Sequence, residues 1–369
     1  MWWSASLHVN ITLDCIQTCQ KSILVTLSMA RILLTGFEPF GDNKDNISEN
    51  ILKTFSKELN ITDPWLQQRK NSNDAQTISV TIEKQLLSVD ETGSVMIANR
   101  IGSGSRWDAV IHMGLCESCE SIRFETRAQS LLNMRIPDNN GRQLINHRLG
   151  DEEFYCDKNV VNSMQYPPIE GLMISHDAGA FICNETYYYT LKSINQSDAN
   201  NTIPACFVHF PKEQVCSMTT AIEMLKKIIA RLLFKPTLEV VGAVLFNNNK
   251  IMLARRNINS ELAGFWEFPG GKVEHGESHF SAICREMKEE FNWTVRAVRT
   301  LSNQHHSYPQ LDINLHLIEI ETDLDEIYDD QDSWTSHDKI DWFEEIKGVS
   351  IAPADENMAN DLLKTLNAK

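Results

Sequence analysis

Between Gly270 and Glu290 the chain reads GGKVEHGESHFSAICREMKEE, and its spacing restricts the fold more than any other stretch. Gly271 is followed after five residues by Glu277, and after seven more by Arg285-Glu286-Met287-Lys288-Glu289-Glu290. Residues three and four apart share a helical face. Glu286, Glu289 and Glu290 therefore project together, with Ile283 and Met287 left to bury behind them. Like charges crowded in this way repel by kilocalories per mole where the effective dielectric is low. A hard divalent cation, which takes oxygen ligands, would relieve the repulsion. Glycines at 270 and 271 let a backbone carbonyl approach as a further ligand. An acidic wet surface explains the charges alone; glycine, arginine and spacing together point to a cation site.

The remainder of the chain sets the frame for that site. With 369 residues it is long enough for two domains. A formal charge of −16 argues against a basic surface for nucleic acid, so direct nucleic-acid binding is not expected. No apolar run reaches the ~20 residues that cross a bilayer. The nine cysteines form no dense framework, which fits free thiols in a reducing cytoplasm. Cys116 and Cys119 make a lone C-x-x-C, expected to be two loop thiols. The first 28 residues lack an early basic residue, and Asp14, Gln17 and Gln20 break their apolar pattern. Met29 stands directly before the strand-like ARILLTGF, and we expect it to be the working start, with residues 1–28 an untranslated extension.

From Met29 short apolar runs alternate with amphipathic ones. RILLTGF, DAVIHMGL (108–115), EGLMISH (170–176) and PACFVHF (204–210) read as strands. AFICNETYYYTLKSIN and VCSMTTAIEMLKKIIARLLF read as helices. This alternation predicts an α/β domain with a largely parallel sheet over 29–234, its site at the carboxyl ends of the strands. Lys235-Pro236-Thr237 breaks the pattern, and 235–369 forms a second domain. It opens with a hairpin turning at the asparagines 247–249.

The 270–290 stretch resembles the Nudix box, G-x5-E-x7-R-E-U-x-E-E-x-G-U, with Asn292 in place of the late glycine and Trp293 in the last apolar position. Asparagine tolerates a left-handed cap, so the turn is expected to survive. LARR, LAGFWEFPGGKVEHGES and IAPADENMANDLL extend the similarity to the MutT-like, 8-oxo-dGTP diphosphatase type. That resemblance implies a Nudix fold with a mixed sheet and hydrolysis of a nucleoside triphosphate to monophosphate and pyrophosphate. It implies Mg2+ or Mn2+ held by Glu286, Glu289, Glu290 and the carbonyl of Gly271. Arg256 corresponds to a position that meets the nucleotide, and Asp355 to a base-reading position where asparagine is familiar. Aspartate there alters the donor–acceptor pattern offered to the base. Glu289 is our first choice as general base and Asp341 the second, while Arg285 and Glu277 orient the ligands. His305 and His306 are expected to solvate a turn.

In the first domain Cys183 stands where a glycine turn opens a helix, and His209 ends a predicted strand. A helix N-terminus favours a thiolate. A thiol and an imidazole oriented by a third polar group make an activated nucleophile. A lone cysteine at an apolar helix start is more often core than nucleophile, and a histidine in an apolar strand is likewise more often a core residue. Resemblance decides between them. LLTGFEPFGD, DAVIHMGL, FETRAQ, MRIPDNNG, DAGAFICN and FVHFP are similar, in order and spacing, to the pyroglutamyl peptidase I family of pyrrolidone-carboxylate peptidases. It implies a metal-free cysteine peptidase acting on pyroglutamyl peptides, with Cys183 as nucleophile, His209 as base and Glu125 as third member. Phe37 and Phe40 correspond to the aromatic residues around the pyroglutamyl ring, and Arg135 to an arginine near the active centre. Two departures, CESCES after HMGL and Asn46-Ile47-Ser48 near the first loop, fall close to the substrate.

The expectation is thus a cytoplasmic fusion of two α/β/α sandwich hydrolases, with room for a homo-oligomer formed through the first. Two alternatives remain: a scaffold peptidase half beside an active Nudix half, or a nucleotide-binding sensor.

Overall fold

The computed structural model describes residues 29–66, 68–69, 77–197, 203–260, 262–322 and 334–368. The expectation for residues 1–28 lies outside them. In the first half the strands are β1 (Ala30–Phe37), β2 (Glu58–Thr62), β3 (Thr77–Leu87), β4 (Ala109–Leu115) and β5 (Ile122–Glu125). Short pairs follow, β6 (Arg127–Ala128) with β9 (Phe154–Tyr155) and β7 (Leu131–Leu132) with β8 (His147–Arg148). Then come β10 (Leu172–Ser175) and β11 (Ala205–Phe210). Seven strands form one sheet in the order β10-β5-β11-β4-β1-β3-β2. Its centre, β11-β4-β1-β3, is parallel, while β2 and the β5–β11 contact are antiparallel.

Both faces of that sheet are covered, as parallel strands require. Every residue of β4 and of β11 is buried. Along β1 the side chains alternate between two cores: Ile32 and Leu34 pack on one side, Leu33 on the other. Helices α1 (Ile47–Thr54), α3 (Lys158–Gln165) and α5 (Met218–Leu233) cover the first core, and α2 (Glu91–Gly102) and α4 (Ile182–Gln196) the second. The strands and helices expected from the pattern are present, and the first sheet is largely parallel.

The second half contains β12 (Thr237–Val244), β13 (Phe246–Asn247), β14 (Lys250–Arg256), β15 (Trp266–Glu267), β16 (Gly270–Lys272), β17 (Arg296–Ser307), β18 (Asp312–Glu321) and β19 (His337–Phe343), with helices α6 (His279–Phe291) and α7 (Glu356–Asn367). One sheet runs β16-β12-β18-β17 and is mixed, with β12 parallel to β18. In the other, β14 pairs with β13, β15 and β19. The hairpin turn falls at Asn248 and Asn249, both at positive φ (48° and 59°). Asparagine is one of the few side chains that adopts this region readily.

Helix α6 shows why the acidic stretch folds as it does. The Ser278 side chain accepts from the Ser281 N–H at its start. Ala282, Ile283, Met287 and Phe291 bury one face. Asn292 ends the helix in the left-handed region at φ 60°, and the Trp293 N–H reaches the Met287 carbonyl, a Schellman closure. Trp293 then stacks on Phe291 at 4.4 Å. The substitution of asparagine for glycine is accommodated as expected.

The two halves meet through Arg69, whose guanidinium bonds Asp63 at 2.6 Å, Asp312 at 2.7 Å and the Lys235 carbonyl. Two expectations need correction. Cys116 and Cys119 form a disulfide, because a tight turn, with the Cys119 N–H on the Cys116 carbonyl, sets their Cα atoms 5.4 Å apart. His305 and His306 lie within strand β17, not a turn, because the backbone pairs with β18 through Asn314 and Ile313. Among the described residues no helix is long and apolar enough to cross a membrane.

Candidate active sites

In the first half the sheet register assembles the constellation. His209 on β11 lies beside Gly114 on β4. The Glu125 carboxylate, at the end of β5, takes the His209 Nδ1 at 2.9 Å, leaving Nε2 for a second partner. Cys183, second residue of α4, lies close enough to that imidazole to raise it. Gly114 is glycine for a local reason: a Cβ there would stand 2.9 Å from the Cys183 sulfur. Burial opposes charge on His209, but the hydrogen bonds to Cys183 and Glu125 outweigh it and raise the imidazole to about 9. The imidazolium is thus favoured at neutral pH. Glu125 is fully buried, its Oε2 has no hydrogen-bond partner among the described residues, and the Tyr187 hydroxyl holds its main-chain carbonyl at 3.2 Å.

Phe40 is half-buried against Phe181, at 5.7 Å between ring centroids. Phe37, by contrast, is 2% exposed and stacks on Phe207 inside the core. Arg135 is exposed, and its charge helps hold Glu117, in the loop after β4, below the usual carboxylate range; bonds from Asn43 and Lys212 are the larger causes. The departure at Asn46-Ile47-Ser48 is a helix cap. Asn46 accepts from the Ser48 N–H, and Ser48 Oγ accepts from the Phe37 N–H. His112, the other buried histidine of this sheet, is bracketed by Thr35 and Thr190 and pushed down to about 3 by burial, a neutral core residue.

In the second half Arg285 organises the acidic helix. Its guanidinium bonds Glu277 (2.9 Å), Glu286 (2.8 Å), Glu289 (3.1 Å) and the Lys272 carbonyl. Gly271 faces Glu286 so closely that a Cβ would fall 2.4 Å from the carboxylate carbon. Burial pushes Glu286 up and Glu290 up to about 7, the latter against the neighbouring His337. Among the described residues, Glu290 Oε2 and His337 Nδ1, 3.6 Å apart, have no hydrogen-bond partner. Crowded, buried, under-neutralised carboxylates beside a glycine carbonyl fit a divalent cation.

A cavity of about 560 Å³ adjoins this cluster, lined by Arg256, Glu267, Phe268, Gly271, Tyr308 and Asp355, with Asn159 of α3 at its edge. Arg256 is clamped on Glu267 at 2.8 and 2.9 Å, and Glu267 also takes His337 Nε2 at 3.0 Å. Sequence reasoning missed Glu267 and His337. The available signal was the apolar–polar alternation of WEF, but the partner arrives from β19, where Arg256 lies opposite His337. Asp341 stands apart from this network, bonded to Lys339 at 2.9 Å.

Asp355 is fully buried and accepts from the Phe268 N–H at 3.0 Å. Burial, then the Glu267 charge, pushes its carboxyl up to about 8. Below about pH 8 the protonated form is favoured, which adds an O–H donor to the oxygen that accepts from Phe268. A consequence follows for stability. Between about pH 4 and 8 the folded chain holds a proton here that the unfolded chain releases, so stability falls as pH rises through that window. Asp355→Asn is expected to flatten this dependence, by at most about 1.4 kcal/mol per pH unit. Urea unfolding at pH 5 and 7 checks it.

Taken together, a thiol–imidazole–carboxylate chain on one sheet and a carboxylate cluster beside a cavity on the other define a hydrolase with two sites. The pyroglutamyl peptidase family model matches residues 30–229, more than half of the 369, and the chain belongs to that family. The NUDIX domain model matches residues 236–367, so a Nudix hydrolase domain is fused to it. The pyrrolidone-carboxylate peptidase of Thermococcus litoralis is 25% identical over 195 residues, covering 50% of this chain and 77% of the relative. The 8-oxo-dGTP diphosphatase of Proteus vulgaris is 36% identical over 74 residues, covering 20% of this chain. The CTP pyrophosphohydrolase of Escherichia coli K12 is 38% identical over 79 residues, covering 21%. The matches span 66% and 58% of those two nucleotide hydrolases. The solved pyrrolidone carboxyl peptidase from Thermococcus litoralis superposes with a TM-score of 0.44 at 22% identity, over 56% of this chain and 94% of that one.

Proposed function

We propose that residues 29–234 remove N-terminal pyroglutamate from peptides and that residues 235–369 hydrolyse a nucleoside triphosphate to monophosphate and pyrophosphate, in a cytoplasmic setting. The peptidase reading is carried by the Glu125–His209 hydrogen bond and by Cys183 beside that imidazole. The Cys183 sulfur attacks the pyroglutamyl carbonyl, and the His209 imidazolium gives its proton to the departing amine. Water then hydrolyses the thioester with His209 as base, while Glu125 holds the imidazole oriented. Phe40 and Phe181 flank the lactam ring, with Phe37 packed behind them in the core.

The phosphohydrolase reading is carried by Gly271 and the three glutamates gathered around Arg285. Glu286, Glu289, Glu290 and the Gly271 carbonyl would hold Mg2+ or Mn2+. A bound divalent cation neutralises polyphosphate and lowers the pKa of coordinated water. Glu289, the most exposed of the three at 59%, takes the proton from the attacking water. Arg285 and Glu277 fix the carboxylates, Arg256 meets the nucleotide, and protonated Asp355 reads the base edge.

One relative is named for an oxidised guanine nucleotide and another for CTP. An oxidised purine is the first candidate, and the O–H of a protonated Asp355 would donate to an acceptor on its edge. A panel of nucleoside triphosphates, 8-oxo-dGTP and CTP included, assayed for pyrophosphate with Mg2+, tests this directly. Preference for 8-oxo-dGTP supports the purine reading, and preference for CTP overturns it.

A further inference from the structure

Glu239 on β12, His316 on β18 and His279, the first residue of α6, bring three ligand atoms within 4.8 Å of one another. Neither hydrolytic site uses them. His279 precedes Glu286 by seven residues along the helix, roughly 10 Å at 1.5 Å per residue. Both imidazoles turn Nε2 toward the same carboxylate oxygen. Glu239 Oε2 is 2.6 Å from His316 Nε2 and 4.0 Å from His279 Nε2, and the ring centroids are 4.0 Å apart. His316 has its hydrogen bond to that oxygen, while His279 at 4.0 Å stands beyond hydrogen-bond reach.

The carboxylate's other oxygen is held from behind. Glu239 Oε1 accepts from Asn314 Nδ2 at 2.7 Å, and that amide also donates to the Gln68 carbonyl at 2.8 Å. Asn314 Oδ1 faces His305 Nδ1 at 3.1 Å. Outer hydrogen bonds of this kind orient a ligating carboxylate and leave its second oxygen for an ion.

We propose that Glu239, His279 and His316 bind a borderline divalent cation of the Zn2+ class, with solvent completing the coordination. Two imidazoles and one carboxylate suit Zn2+ or Co2+, whereas Mg2+ takes oxygen ligands. Ligands about 2.0–2.2 Å from zinc in a tetrahedron lie somewhat over 3 Å apart, which the present separations reach by small side-chain rotations. Side-chain exposures of 37% for His279 and 31% for Glu239 leave a path for entry. The ion would tie the first turn of α6 to two strands of the mixed sheet.

The test is a Zn2+ titration of the metal-stripped full chain against a chromogenic chelator, in excess Mg2+ to occupy the acidic box. One equivalent of Zn2+ is expected for the wild type and for Glu289→Gln. His279→Ala and His316→Ala should each weaken it by more than the roughly 10–100-fold that loss of an outer-shell partner costs. His279 is partly exposed at the start of its helix, so that variant keeps the test sound should His316→Ala fail to fold. Co2+ substitution should give the visible absorption of a tetrahedral site. Unchanged Zn2+ affinity in His279→Ala, loss of the site in Glu289→Gln, or no Zn2+ uptake in excess Mg2+ would each overturn the proposal.

Discussion

Cys183→Ala is expected to abolish release of a fluorophore from a pyroglutamyl amide while leaving pyrophosphate production from nucleoside triphosphates unchanged. Losing the nucleophile of a coupled triad costs on the order of 10⁶ in kcat, because the remaining members have nothing to activate. The fold should tolerate the change. Cys183 is only partly buried, and the sulfur makes room beside Gly114 rather than filling a core layer. The wild-type activity should also carry a signature in pH. His209 is raised to about 9 by its bonds to Cys183 and Glu125, against burial. Activity that needs the imidazolium should therefore decline as pH rises through about 9. A peptidase half kept only for packing would show no release at any pH.

Glu289→Gln is expected to lower pyrophosphate production by about 10²–10⁴-fold, the usual contribution of a positioned general base. The three box glutamates are not equivalent. Glu286 is pressed beneath Gly271, and Glu290 is buried toward His337 and pushed up to about 7. Glu289 alone of the three is well exposed to water, while Arg285 holds it at 3.1 Å. Glutamine keeps the shape and the hydrogen bond from Arg285 but cannot accept the proton. The amide-release activity should be unaffected. Turnover that persists in Glu289→Gln would move the base to another carboxylate.

The acidic box was legible because its chemistry is local. Helix periodicity alone places Glu286, Glu289 and Glu290 together, and the left-handed tolerance of asparagine predicts the closure at Asn292. The strands of the first sheet were legible for a related reason: β4 and β11 are apolar throughout, as buried parallel strands are. What periodicity does not reveal is register between distant strands. Glu267 and His337 meet only because β14 pairs with both β15 and β19. Glu239, His279 and His316 likewise come from two strands and a helix. The ionisation of Asp355 depends on burial and on the Glu267 charge, neither of which a motif records. Phe37 matches a motif position, yet its neighbour in space, Phe207, draws it into the core.

Two independent hydrolytic sites are expected on one chain, one needing a divalent cation and one not. The most direct measurement assays the purified wild-type chain for both reactions, with and without EDTA. EDTA should stop pyrophosphate release and Mg2+ restore it, while fluorophore release from the pyroglutamyl amide continues at the same rate throughout. Loss of both activities in EDTA, or survival of pyrophosphate release, would contradict that expectation.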